Sequence, residues 1–403
     1  DGGIFHTDTA TSNDIIFNEK NNNYNTLQYY TGAIYPEVST EIFVGGLQDN
    51  GTLLYNNQDY YNNPIGPLTT NNMISGGDGA YCFWDNNQPE ILITSTYYNR
   101  YYIFVNNEYY NYFNGNNGIF INPADYDFLN NTLYCNAVKF NGNLQNRLYI
   151  VQNIDQDIIE NTINLFTNTS VPFSHIKYSK FSSEYATIYL GTQSGYLFKV
   201  NFSENNTFLV TDLTNDNFPT ANVSSISEGD NEDILFVTFS NYGISSLWYT
   251  SNGGLSWIEK QQNLPDIPVR SSILHPENSD FALIGTEIGV WGTENLSDTN
   301  TSWSPYTNGL ANVRVDMLHI RNEDQLVLAS THGRGQFYTY YNINDLELLG
   351  DINNDDSLDI LDVVLLVNIV LNNENYLNNA DLNNDFLNNV LDIVLLVNLI
   401  LDN

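Results

Sequence analysis

The chain has 403 residues, enough for two or three domains with a full hydrophobic core, and its 42% hydrophobic fraction excludes wholesale disorder. Twelve Lys and Arg stand against 47 Asp and Glu, a formal net charge of −35. That surface repels phosphate backbones and anionic headgroups, which excludes nucleic acid and membrane surfaces as partners and leaves neutral or cationic polymers and divalent cations.

The chain opens directly at Asp1 with no leader-like stretch, as a processed mature chain or an excised fragment would, and an extracellular or cell-surface location is expected. The 29 Tyr and 21 Phe favour half-buried pleated surfaces. Residues 1–341 read as an all-β domain of short strands separated by Gly, Asn and Asp turns. IFVGGLQDNGTLLY, IYLGTQSGYLFKV, ALIGTEIGVWGT and LVLASTHGRGQFYTY share one design: a strand, a polar turn containing Gly, and a second strand. Gly51 and Gly195 lie 144 residues apart, three steps of 48, while Trp257 and Trp303, like Leu264 and Leu310, lie 46 apart. A period of about 40–50 residues with several strands per unit marks a propeller. Starts near Gln28, Met73, Phe120, Ser174, Val223, Val269 and Val313 predict a seven-bladed β-propeller, its last blade completed by GIFHT and DIIFNEK. Cys82 and Cys135 read either as one disulfide between neighbouring strands or as two small buried hydrophobes.

Thr250–Trp257, TSNGGLSW, fits S/T-x-D/N-x-G-x-S/T-W, and DTNTSW near Trp303 looks like a decayed copy. With QDNGT, GGDG, NLPDIPV, HPENSD, GTEIGVW and THGRGQF, this resembles the Asp-box of sialidase-like, sortilin-like and xyloglucanase-like propellers across most of residues 1–341. The motif is a structural hairpin in which Asx and hydroxyl side chains bond local backbone.

After a linker at 342–350, residues 351–403 hold two copies of one pattern, DINNDDSLDILDVVLLVNIVL from Asp351 and DLNNDFLNNVLDIVLLVNLIL from Asp381. Oxygen side chains stand at positions 1, 3, 5, 9 and 12: Asp351, Asn353, Asp355, Asp359 and Asp362, then Asp381, Asn383, Asp385, Asn389 and Asp392. Ser357 and Leu387 would add the position-7 carbonyls. Six to eight hard oxygens suit Ca2+, so two ions are expected. Each loop is followed by an apolar helix too hydrophobic to stand alone, and both runs are too short and interrupted to span a membrane. The whole resembles a type I dockerin, although the usual position-6 Gly is Asp356 in one loop and Phe386 in the other. The resemblance implies a cohesin-like partner met at positions 10 and 11. These are apolar here, Ile360, Leu361, Val390 and Leu391, so the partner surface is either apolar or lies on the chain's own propeller or a neighbouring copy.

Propellers gather their second hairpins and blade-to-blade loops around the channel. That face would collect Gln48, Asp49, Asn50, Asp78, Tyr97, Tyr98, Arg100, Gln193, Glu287, His332 and Arg334. Acids beside aromatic rings suit sugar binding. Asp49 and Asp78 are the one candidate carboxylate pair for glycoside hydrolysis, and the same residues are ordinary turn chemistry beside Gly. His332 and Arg334 equally suit a hairpin pinned at the ring closure. A sialidase-like mechanism needs three arginines, and only Arg100 and Arg334 fall on this face. The expected function is therefore a non-catalytic binding or scaffold propeller for a polysaccharide, attached to a larger assembly through the calcium-dependent module. A glycoside hydrolase acting on a neutral polysaccharide and a structural subunit of an extracellular assembly are the alternatives.

Overall fold

The computed structural model describes residues 4–20, 25–56, 71–115, 117–138, 147–165, 171–204, 207–306, 309–341, 349–353, 357–372, 377–383 and 387–402. The chain divides into two compact units, Asp1–Tyr340 and Tyr341–Asn403.

In the first unit, seven antiparallel sheets succeed one another along the chain, each with its strands in chain order: a seven-bladed β-propeller. The innermost strands are Ala33–Ile34, Gly79–Trp84, Ala124–Asp127, Phe173–Tyr178, Val223–Glu228, Val269–Leu274 and Val315–Arg321, and they neighbour one another around the ring. Each begins within six residues of the start read from the repeat. The second strands are covered on both faces by adjacent blades. Ile91–Thr96 and Leu326–Thr331 are accordingly buried at every position, whereas an outermost strand such as Ile159–Asn164 is largely exposed. A sandwiched strand must be apolar or hydroxyl-bearing throughout, which is how these segments read.

The ring does not close as expected. Phe5–His6 of GIFHT and Asn18–Glu19 of DIIFNEK pair with each other, Phe5 opposite Glu19 and His6 opposite Asn18, as a separate two-stranded ribbon. Blade 7 has three strands among the described residues, and blades 1 to 6 have four. Closure falls instead to residues 25–31. The Leu27 carbonyl accepts the amides of Gly333 and Gly335 (3.1 and 3.2 Å), the Tyr29 amide donates to the Thr331 carbonyl (2.9 Å), and Gln48 N–H reaches back to Gln28 (3.0 Å). This segment thus takes up backbone groups of both the last blade and the first, a job that leaves the preceding ribbon unneeded.

The Thr250–Trp257 turn is stapled by its own side chains. Thr250 Oγ1 donates to Asn252 Oδ1 (2.8 Å) and accepts from Gly254 N–H (3.2 Å), while Asn252 Oδ1 also accepts from Ser256 N–H (3.0 Å). Gly253 and Gly254 both take positive φ. Trp257 Nε1 then donates to the Leu213 carbonyl of the preceding blade (3.1 Å). The same set recurs one blade on with three residues inserted: Thr293 Oγ1 donates to Asn295 Oδ1, which accepts from Ser302 N–H, and Trp303 Nε1 donates to the Lys260 carbonyl (2.9 Å). The copy at Trp303 therefore begins at Thr293, well before DTNTSW.

Cys82 and Cys135 are unbonded and buried in the apolar cores of different blade interfaces, which settles the choice between disulfide and small hydrophobe.

In the second unit, helices α1 (Ile360–Asn372) and α2 (Val390–Asp402) pack Val363, Leu366 and Leu396 around Ala380. No helix among the described residues is long and apolar enough to cross a membrane.

Candidate binding face and channel

The hairpin after the second strand of blade 1 is held against the loop that enters blade 2. Asp49, at φ +61°, donates its amide to Asp78 Oδ1 (2.7 Å), and Gly51 N–H donates to the Gly77 carbonyl (2.8 Å). A Cβ on Gly51 would stand 2.0 Å from the Ser75 carbonyl oxygen, so only glycine permits this approach. Asn50 Nδ2 folds back onto the Gln48 carbonyl (2.9 Å). The two candidate catalytic acids are thus neighbours, but Asp78 spends one oxygen on the turn.

Beside them lies an aromatic cluster. Tyr97 stacks on Phe120 with centroids 5.8 Å apart and 3° between planes, and Tyr98 stands perpendicular to both. Arg100 sits 4.7 Å over the Tyr97 ring. Tyr98 takes φ +65°, a conformation that costs a bulky residue about 1–2 kcal/mol, and its amide is held by the Phe120 carbonyl (2.9 Å). Phe120 is 47% exposed. Sequence reasoning took it for the start of a blade and missed it as a member of the face.

The channel carries the remaining chemistry. In five innermost strands the pairing register shifts near the start: between Gly79 and Cys82, Phe173 and His175, Val223 and Ser225, Val269 and Ser271, and Val315 and Met317. Residues skipped by these bulges, Tyr81, Ser174, Ser224, Arg270 and Asp316, line a cavity of about 350 Å3 together with Tyr30, Thr31, Ile121, Asn222, Ser240 and Arg314. Bulges re-aim side chains in this way at functional positions. Arg314 binds Asp316 Oδ1 through Nε and Nη2 (2.7 Å each), His332 Nδ1 lies 3.1 Å from Asp316 Oδ2, and Arg270 Nε binds Glu287 Oε1 (2.7 Å). Burial raises the Tyr30 phenol, and Asp78, Asp49 and Asp316 raise it further against the opposing pull of Arg314. Those groups all lie within electrostatic reach of one ring. Burial, helped by Asp125, pushes Tyr81 up to about 12.

Of the residues expected on this face, Asp49, Asp78, Tyr97, Tyr98, Arg100, Glu287 and His332 fall into these two connected groups. Gln193 and Arg334 enter through their main chains: Gln193 N–H donates to the Pro172 carbonyl (3.3 Å), and the Arg334 carbonyl accepts from Asn25 Nδ2 (2.6 Å) at the ring closure. Arg270, Arg314 and Asp316 were missed, which corrects the expectation that only Arg100 and Arg334 among the arginines stand on this face. The available signal was register, because two of only six arginines stand at the starts of consecutive innermost strands.

In the second unit the two loops repeat their bonding. Asp362 Oδ1 accepts from Ile352 N–H (2.8 Å) and Oδ2 from Asp359 N–H (2.9 Å); Asp392 does the same with Leu382 (2.9 Å) and Asn389 (2.8 Å). Asp359 and Asn389 accept the amides of Leu361 and Leu391 (2.7 Å each), so positions 9 and 12 also form reciprocal helix caps. Asp351, Asp362, Asp381 and Asp392 are buried, yet no Lys, Arg or His follows Arg334. Buried carboxylates need a positive counterpart. The donor set, hard oxygens only, fits calcium and not a soft metal. Among the described residues no three His, Cys, Asp or Glu side chains converge on one point, and Asp355, Asp356, Asp385 and Phe386 lie outside the described residues. Ile360, Leu361, Val390 and Leu391 are exposed.

The chain matches no protein-family model and no curated protein sequence.

Proposed function

We propose that this chain is a secreted or cell-surface, non-catalytic binding propeller whose channel-end face takes a neutral polysaccharide. The observation that carries the reading is the Tyr97–Tyr98–Phe120 cluster, packed against Gly77 beside Asp78, which presents the half-exposed Phe120 ring next to hydrogen-bonding carboxylates. Sugar rings present apolar C–H faces to such a surface and hydroxyls to the acceptors around it. The stapled Thr250 and Thr293 turns support the resemblance to Asp-box propellers, which speaks to architecture and not to chemistry.

The carboxylates on this face favour binding over hydrolysis. Asp78 holds the Asp49 amide, Glu287 holds Arg270, and Asp316 holds Arg314 and His332. These three are engaged as acceptors, which leaves Asp49, bonded through its amide, as the one carboxylate of the candidate pair with both oxygens open among the described residues, whereas hydrolysis needs one carboxyl to give a proton and a second to attack or activate water. The test is reducing-end release from neutral plant and algal polysaccharides in millimolar calcium. No release is expected from any polymer the protein binds; release that disappears in Asp78→Asn would make the chain a glycoside hydrolase.

The C-terminal unit is read as the attachment device, a dockerin-like module holding two Ca2+ between Asp351 and Asp362 and between Asp381 and Asp392. Calcium would bring positive charge to a stretch in which no Lys, Arg or His follows Arg334, and the loop side chains would hold it while the amide bonds to Asp362 and Asp392 set the helix entries. The exposed pairs Ile360–Leu361 and Val390–Leu391, related by the internal repeat, offer an apolar surface for a cohesin-like or other protein partner.

A further inference from the structure

We infer that the channel cavity is a pocket for one terminal sugar residue, either the free end of a neutral glycan or a single-residue branch on it. This deepens the polysaccharide reading and rests on it. The cavity belongs to the binding face by construction. Ile121 lines it while the adjoining Phe120 completes the aromatic cluster, and Tyr30 lines it while its ring lies 6.3 Å from that of His332. At about 350 Å3 it lies at the small end of the roughly 300–1,000 Å3 of small-molecule sites, room for a sugar ring and not for a folded chain.

Its lining decides the ligand class. Two guanidinium groups on its wall, Arg270 and Arg314, are each paired with a carboxylate, Glu287 and Asp316, and Asp49 and Asp78 also act on the lining Tyr30, so the balance of charge around the cavity is negative. Such surroundings repel an anion, and the two guanidinium groups on the wall disfavour a cation. Ser174 and Ser224 spend their protons on carbonyls of the next blade, those of Val223 (2.7 Å) and Val269 (2.6 Å), so their oxygens act as acceptors, that of Ser224 already taking the Thr238 hydroxyl (2.8 Å) on one of its two lone pairs. Asn222 uses one amide proton on Ser240 (2.9 Å) and keeps the other, and the arginines keep further N–H groups. Donors and acceptors in balance, beside the Tyr30 and Tyr81 rings, match a polyhydroxylated neutral ring. The cavity follows the axis of the ring of blades, so a polymer lying across the face can place only an end or a branch in it.

The test uses the full chain in millimolar calcium and titration calorimetry with matched probes. Maltohexaose is paired with α-cyclodextrin, the same six glucoses without an end; galactomannan, with its single-galactose branches, is paired with unbranched mannan, and linear cello- and laminarihexaose complete the set. Maltohexaose should bind at least tenfold more tightly than α-cyclodextrin, and galactomannan at least tenfold more tightly by weight than unbranched mannan, whose terminal residues are its sparse chain ends, with one site per chain end or per accessible branch. Ile121→Trp, which fills the cavity, and Arg314→Met should each weaken binding at least tenfold while keeping the wild-type melting curve; if Ile121→Trp misfolds, Arg314→Met and the paired wild-type probes still decide. Equal binding of paired probes, or wild-type binding by Ile121→Trp and Arg314→Met when Phe120→Ala has lost it, would overturn the pocket and leave the face standing. Binding by no probe would remove the polysaccharide reading and the pocket with it.

Discussion

Chelation of calcium is expected to melt the C-terminal unit and leave the propeller folded. In calorimetry of the full chain, the transition belonging to residues 349–402 should vanish in excess EGTA and return with calcium, while that of residues 4–341 stays in place. Four buried carboxylates, Asp351, Asp362, Asp381 and Asp392, share this small unit with no basic side chain. Its apolar core is a handful of residues around Val363, Leu366, Ala380 and Leu396. A domain of this size has little stability of its own. A ligand present at about a thousand times its dissociation constant adds roughly 4 kcal/mol per site, comparable with the whole stability of such a unit. Asp362→Asn should remove the stabilisation from one loop only, giving a smaller rise at saturating calcium. A unit that melts identically in EGTA and in calcium would show that the reciprocal caps alone hold it, and that the acids serve as helix caps.

Trp303→Ala is expected to cost the propeller about 3–5 kcal/mol, the range for removing a buried tryptophan. Trp303 is 1% exposed, stacks on Phe236 at 6.1 Å, and sends its indole N–H across to the Lys260 carbonyl (2.9 Å). The substitution therefore opens a cavity between blades 5 and 6 and strands a buried acceptor. At about 2 °C per kcal/mol for a domain this large, the melting midpoint should fall by roughly 6–10 °C. Trp303→Phe keeps much of the packing and loses the hydrogen bond, so it should fall between Trp303→Ala and wild type. Leu255→Ala serves as the control: Leu255 is 89% exposed at the tip of the Thr250–Trp257 turn, and its removal should change little. If Trp303→Ala melted with the wild type, the stapled turns could not be tying one blade to the next.

The propeller was legible because its repeat is carried by residues with no substitute. Gly51, Gly195 and Gly289 occupy positive-φ turns, and Trp257 and Trp303 fill equivalent holes, so their spacing measures the blade. Ring closure was not legible, because it depends on which backbone groups at Thr331–Gly335 and Gly46–Gln48 remain open, and these are taken up by residues 25–31. The side chains of the face were found through their turns. Those of the channel were not, since a bulge at the second residue of an innermost strand overrides the two-residue alternation that would orient Arg270 and Asp316. In the C-terminal loops the spacing of oxygens showed plainly, but the same spacing at Asp359 and Asp362 also describes a helix cap, and only the structure shows both Asp362 oxygens accepting amides.

The most direct test of the binding face is native electrophoresis of the full chain through gels containing neutral polysaccharides, one polymer per gel, in millimolar calcium. At least one polymer should retard the wild-type protein, and Phe120→Ala should migrate there as it does in a plain gel. Free migration of the wild-type protein through every polymer would contradict a polysaccharide-binding propeller.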